Sequence, residues 1–134
     1  MYSKEELQLK YEMAVNLGLS GATLLKDPRA QKACNGIGAD WMWDGLCSLV
    51  GRLNPTLIIP ADIHDMRYDT GGDADARKAA DDEFLANALK CADARYPWWH
   101  PFRYRVRRQA YKFHLILRVA GGKAWNDARK GGGA

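Results

Sequence analysis

Apolar positions along the chain recur at intervals of three and four far more often than they alternate. That pattern predicts a mainly α protein with few strands. "SKEELQLKYEMAVNLG" offers Ser3 as an N-cap, places Glu6 where a capping box needs it, and meets Gly18 as a stop. Residues 19 to 59 are less regular, and "NGIGADWMWDG" reads as a structured loop. Pro60 suits the first turn of a second helix over 60 to 69, closed by Gly71 and Gly72. A third helix is expected from Asp73 to Ala94, with acids in its first turns where the helix dipole favours them. Pro97 and Pro101 bracket "WWH". A fourth helix follows from Phe102 to Ala120, ended by Gly121 and Gly122.

Helical phase then sorts the polar residues. His64 and Tyr68, four apart, share one face of the second helix, with Ala61 beside them, while Asp65 points a quarter-circle away. On the third helix the apolar stripe is Phe84, Leu85, Ala88, Leu89 and Ala92. Asp81 falls at the centre of this stripe and Asp82 at its edge. A carboxylate aimed into a packed face is costly unless paired. The short Gly-Gly connection makes the second helix the neighbour, antiparallel to the third, so His64 facing Asp81 would satisfy both groups. Such a contact fits a structural role as well as a catalytic one.

Composition adds limits. With 134 residues and 47% hydrophobic content, the chain is expected to form a single domain over 1–134, with 131–134 as a flexible tail. The longest apolar runs are too short to span a bilayer, and the charged N-terminal stretch predicts no secretory signal and a soluble protein. Cys34, Cys47 and Cys91 lack CxxC spacing, and reduced thiols are the expectation.

Charge is segregated. Asp62 to Glu83 holds eight acids against Arg67, Arg77 and Lys78, while Ala94 to Asn126 holds eight bases and no acid. One region could collect a cation, and the other could face phosphates or an anionic membrane.

"HDMRYD" followed by "AADDEF" resembles the catalytic core of the phospholipase A₂ superfamily, closest to its disulfide-poor parvoviral and bacterial versions. Those carry HD-x-x-Y on one helix and, on the next antiparallel helix, an Asp three residues before a Phe. Here these are His64, Asp65 and Tyr68, then Asp81 and Phe84. The chain also resembles a group of often phage-encoded proteins that share these helices and a late Gly-x-x-x-Trp, here Gly121 to Trp125. The resemblance implies a fold built on an antiparallel pair of long helices, with additional N- and C-terminal helices. It further implies hydrolysis of the sn-2 ester of a phospholipid, with His64 as general base, Asp81 orienting it, and Tyr68 in the same constellation. Ca²⁺ would be bound by Asp65 and by carbonyls of a glycine loop, with Gly36 and Gly38 of "NGIGAD" the best candidates and "DGLCSLVG" the rival. The flanking cysteines of the family's secreted members are missing here.

The fourth helix is expected to bury Phe102, Val106, Ala110, Phe113, Leu117 and Ala120. Arg105, Arg107, Arg108, Lys112 and Arg118 lie on its other side, with Tyr104, Tyr111 and Leu115 among them. This face fits solvated charge. It also fits a peripheral dock on anionic phospholipid, together with Trp98 and Trp99, and it fits nucleic acid through phosphates and stacking, without any named nucleic-acid motif. Three functions follow: calcium-dependent phospholipid hydrolysis, a non-catalytic phage accessory protein that keeps the helix pair, and, more weakly, a metal-dependent phosphohydrolase using His64–Asp65, which needs additional His and Asp ligands when only His100 and His114 remain. A phage-associated location and a non-classical export route both fit the chain.

Overall fold

A computed structural model describes residues 2–33 and 54–132, and they are mainly α, with no strand among them. Helix α1 spans Lys4–Asn16, a 3₁₀ turn spans Ala22–Lys26, and a short α2 spans Ala30–Ala33. After a 3₁₀ turn at Pro55–Leu57 come α3 (Ile58–Thr70), α4 (Ala74–Arg95) and α5 (Pro101–Gly132). The loop segment holding Cys34, Gly36, Gly38 and Cys47 lies outside the described residues.

Local chemistry sets the helix ends. Ser3 Oγ accepts from the Glu6 amide at 3.0 Å, so the expected N-cap forms. At the other end of α1, Gly18 takes φ 69°, Gly18 N–H donates to Val15 O, and Leu19 N–H donates to Ala14 O. This is a Schellman closure, and it carries buried Leu19 back onto buried Ala14. Asp73 caps α4 by accepting from the Ala76 amide at 2.8 Å. His100 caps α5 by accepting from the Phe102 amide through Nδ1, and Pro101 takes the first helical position, where no N–H is required.

Helix α3 is the centre of the fold. Ile59 to Met66 are all buried, so α3 has no solvated face along that stretch. Ala61 and Tyr68 join Phe84 and Ala88 of α4 and Val106, Phe113 and Leu117 of α5 in one apolar cluster. Ile59, Ile63 and Met66 turn the other way and join Leu7, Ala14 and Leu25 from the N-terminal elements. Polar links fasten each side. Buried Asp62 accepts from Lys10 Nζ at 2.7 Å and from the Tyr2 hydroxyl at 3.3 Å, tying α1 to α3. Arg67 grips Glu83 through two hydrogen bonds, and Asn87 bonds both the N–H and the C=O of Ser20.

Two expectations for the C-terminal helix are corrected. Gly121 and Gly122 do not end it, because α5 continues to Gly132, into the segment expected to be a flexible tail. Phe102 and Ala120 are exposed rather than buried. The buried stripe runs instead through Val106, Ala110, Phe113 and Leu117 to Gly121 and Trp125. Glycine inside a helix costs about 1 kcal/mol relative to alanine, and the contacts described below show what Gly121 gives in return. Cys91 is a buried free thiol, as expected, and burial raises its pKa to about 11.

The Lys10–Asp62 pair yields a prediction. Lys10→Met leaves Asp62 charged and buried and should lower unfolding stability by about 3 kcal/mol, whereas adding Asp62→Leu should recover most of that loss. Urea denaturation of the two variants checks this, and an equal loss in both would show that the pair itself is not the source.

Candidate functional site

The site forms where α3, α4 and α5 meet. His64 and Tyr68 are one turn apart on α3, and their rings lie 4.3 Å apart by centroid. Asp81 of α4 has no exposure, and its neighbour Asp82 is partly exposed, the division that the stripe geometry requires. Asp81 Oδ1 lies 2.8 Å from His64 Nε2 and accepts from the Tyr68 hydroxyl, also at 2.8 Å. Phe84 stands edge-on to His64 at 5.7 Å, and Trp125 edge-on to Tyr68 at 4.8 Å.

The other carboxylate oxygen is held from a direction the sequence did not reveal. Arg118 of α5 donates to Asp81 Oδ2 at 2.8 Å, and Arg77 stands 3.8 Å from the same oxygen. Arg77 also donates to the backbone oxygens of Leu117 and Arg118, which holds it against α5. Both arginines were missed as site residues. Helical phase puts Arg118 on the outer basic face, whereas its guanidinium turns inward to Asp81. A clue was present at Gly121. A Cβ there would come within 2.7 Å of the Tyr68 hydroxyl and 3.3 Å of Arg77. The glycine allows α5 to approach this closely.

Its hydrogen bonds keep Asp81 ionised. Burial alone would raise the Asp81 pKa, but bonds from His64, Tyr68 and Arg118 carry it below the ordinary carboxylate value. An ionised carboxylate only accepts, so Nε2 of His64 donates to Asp81 and Nδ1 is the ring nitrogen turned away from it. Burial, followed by the nearby Asp81 charge, raises the Tyr68 pKa, so its hydroxyl stays protonated and remains a donor.

The remaining candidates fall in different places. Asp65 follows His64 on α3 and is buried. Among the described residues no three carboxylate, imidazole or thiol groups come together as a ligand set. A carboxylate suits Ca²⁺ in kind, but Asp65 alone does not complete a site. The further oxygens would have to come from Gly36 and Gly38, outside the described residues. The histidines required by a phosphohydrolase are engaged elsewhere. His114 Nε2 lies 2.8 Å from Asp82, and His100 caps α5. His64 itself is only 1% exposed, and a cavity of about 480 Å³ among Met13, Leu17, Pro55, Ile59, Cys91 and Arg95 does not include it.

The outer face of α5 is less free than expected. Arg107 and Arg103 both bind Asp93, and Arg118 turns back to Asp81. Arg105, Arg108 and Lys112 remain exposed. They flank an exposed row of Tyr104, Tyr111, Leu115 and Val119, which leads towards Trp98 and Trp99, 73% and 64% exposed.

The chain matches no protein-family model, no curated protein and no solved structure.

Two predictions follow from this geometry. Gly121→Ala should destabilise the protein by about 1–3 kcal/mol by displacing the buried Tyr68 hydroxyl. In a Tyr68→Phe background, where that oxygen is gone, the same change should cost far less. A double-mutant cycle by thermal denaturation measures this, and additive costs would contradict it. The second concerns pH. Because the folded pKa of Asp81 is lowered, its contribution is complete above the unfolded carboxylate value near ~3.9 and is lost as pH falls through the folded value. Asp81→Asn should remove that acid-sensitive part of the stability profile, and an unchanged slope in acid would assign it to other carboxylates.

Proposed function

We propose that the chain is a phospholipase A₂-like ester hydrolase acting on phospholipid at a membrane surface. The observation that carries this reading is the shared carboxylate oxygen of Asp81, which receives both His64 Nε2 and the Tyr68 hydroxyl. The contacts from α3 to α4 suit an antiparallel pair. Ile59, near the start of α3, lines one cavity with Cys91 and Arg95, near the end of α4, while His64, closer to the Gly71–Gly72 connection, meets Asp81.

In this reaction a water gives its proton to Nδ1 of His64 as its oxygen attacks the ester carbonyl carbon. The resulting imidazolium is stabilised by Asp81, which also fixes the ring orientation. The proton then passes to the leaving alkoxide oxygen, releasing a fatty acid and a lysophospholipid. Asp65, with Gly36 and Gly38, would hold Ca²⁺, whose chemistry is to polarise the ester carbonyl. Because His64 is buried, catalysis requires the site to open to substrate.

A second reading, a non-catalytic protein that keeps the helix pair as a scaffold, is favoured by that same burial. It is also favoured by Arg118, which occupies the second oxygen of Asp81 with Arg77 close behind.

Hydrolysis of mixed-acyl vesicles separates the two. The enzyme reading predicts release of the sn-2 fatty acid by the parent, loss with chelator, recovery with Ca²⁺, and no recovery in Asp65→Asn. A parent that folds but releases no fatty acid at any calcium concentration would leave the scaffold. Asp81→Asn should abolish activity and, because Arg118 and Arg77 lose their anion, should also cost stability.

The exposed row on α5 is the proposed contact with anionic phospholipid. The exposed cations beside it are Arg108, Lys112 and Arg105, the last lying over the Phe102 ring. Each could contribute about 1 kcal/mol near an anionic leaflet, with screening once the Debye length falls below ~10 Å. Replacing these three by Glu should abolish binding to anionic vesicles. Arg107→Gln, which removes a cation already paired with Asp93, should barely alter it. Equal losses would mean that net charge matters and not this face. Tighter binding to a single-stranded oligonucleotide at equal salt would move the partner to nucleic acid.

A further inference from the structure

We infer that Arg118 is a positioning residue for the His64–Asp81 pair and not part of the lipid-facing surface. This deepens the hydrolase reading and rests on it for its catalytic consequence, while its structural content stands apart from activity.

A carboxylate has two oxygens and about four lone-pair directions. Oδ1 of Asp81 serves His64 Nε2 and the Tyr68 hydroxyl, each at 2.8 Å. Oδ2 receives the Arg118 guanidinium at 2.8 Å, with Arg77 at 3.8 Å. Asp81 itself is fully buried, so water cannot take over for a missing donor. If Oδ2 lost Arg118, the carboxylate could turn towards Arg77, its neighbour one turn back on α4. That rotation would carry Oδ1 off the line to His64. Arg118, the hydrogen-bond donor on Oδ2 at 2.8 Å with Arg77 further off at 3.8 Å, therefore fixes the torsion that points Oδ1 at the imidazole.

The backbone supports the same role. Arg77 donates to the carbonyls of Leu117 and Arg118, so both arginines are anchored on one turn of α5. Gly121, one turn on, removes the Cβ that would push this turn away from Tyr68. The Arg118 side chain is 29% exposed, with its head group on Asp81, which is how a long stem at the edge of a buried stripe reaches inward. Arg108 and Lys112 lie on the same helix and are exposed.

The test uses the whole chain with Arg118→Met, Arg118→Lys and, as a surface control, Arg108→Met. The first readout is the downfield proton resonance of the His64 Nε2–H on Asp81, assigned by its loss in His64→Gln. Positioning predicts that it shifts and broadens in Arg118→Met, stays near the parent's in Arg118→Lys, and is unchanged in Arg108→Met. Should Arg118→Met not fold, Arg118→Gln, which keeps a donor but no charge, is read in its place and should also shift the resonance. The second readout is turnover of a soluble short-chain ester. Arg118→Met should lower kcat about tenfold or more, the scale of lost acid–base assistance, with KM and anionic-vesicle binding as in the parent. An unchanged Nε2–H resonance in Arg118→Met or its Gln substitute would overturn the inference. So would a loss of vesicle binding matching that of Arg108→Met. If the parent hydrolyses nothing but the resonance responds as expected, the hydrolase reading falls and the positioning role stands.

Discussion

A carboxylate with no solvent contact, set in the middle of an apolar helix stripe, must be met on every side by donors or not be charged at all. Asp81 is that carboxylate, and much of the architecture can be traced to meeting it. Helix α3 supplies His64 and Tyr68 to one oxygen. Helix α5 supplies Arg118 to the other and braces Arg77 through its backbone carbonyls. Each helix must stand at a fixed height and rotation for these bonds to form together. The polar centre thus specifies how three helices dock, while Phe84, Phe113 and Leu117 supply the apolar burial around it.

The same constraint explains two features with no value in isolation. Gly121 weakens α5 as a helix, yet a side chain there would collide with the Tyr68 hydroxyl that Asp81 accepts from. Trp125, one turn further, closes over Tyr68 edge-on and donates to the Gly72 carbonyl, fastening α5 to the connection between α3 and α4. Away from this centre, Asp62 poses a similar problem on the opposite side of α3. It is answered by Lys10 and Tyr2, although burial there outweighs its partners and raises the carboxyl pKa.

What was legible in the sequence was local and periodic. Helix phase alone placed Asp81 at the stripe centre and Asp82 at its edge, because the angle per residue is fixed within one helix. Ser3 and Gly18 marked α1 because capping is a matter of neighbouring atoms. What was not legible depended on distant partners. Arg118 sits at the edge of the buried stripe, where phase does not tell a side chain that wets from one that folds back. Gly121 and Gly122 read as a stop because the same residue type ends helices and lets helices touch. The two-sided burial of α3 was hidden because Asp62, His64 and Asp65, spread around the helix, look like solvated positions until Lys10 and Asp81 are brought to the first two. Gly36 and Gly38 lie outside the described residues, so the calcium loop rests on the resemblance alone.

A His–Asp–Tyr constellation of this kind could serve hydrolysis or merely hold helices together, and both uses require His64 and Asp81 to act as one unit. The most direct measurement is a double-mutant cycle joining His64→Gln and Asp81→Asn, read by urea denaturation at neutral pH. The account predicts a coupling of about 0.5–3 kcal/mol, the range for residues within one network. Losses that simply add would contradict it, because His64 and Asp81 would then contribute to the fold independently of each other.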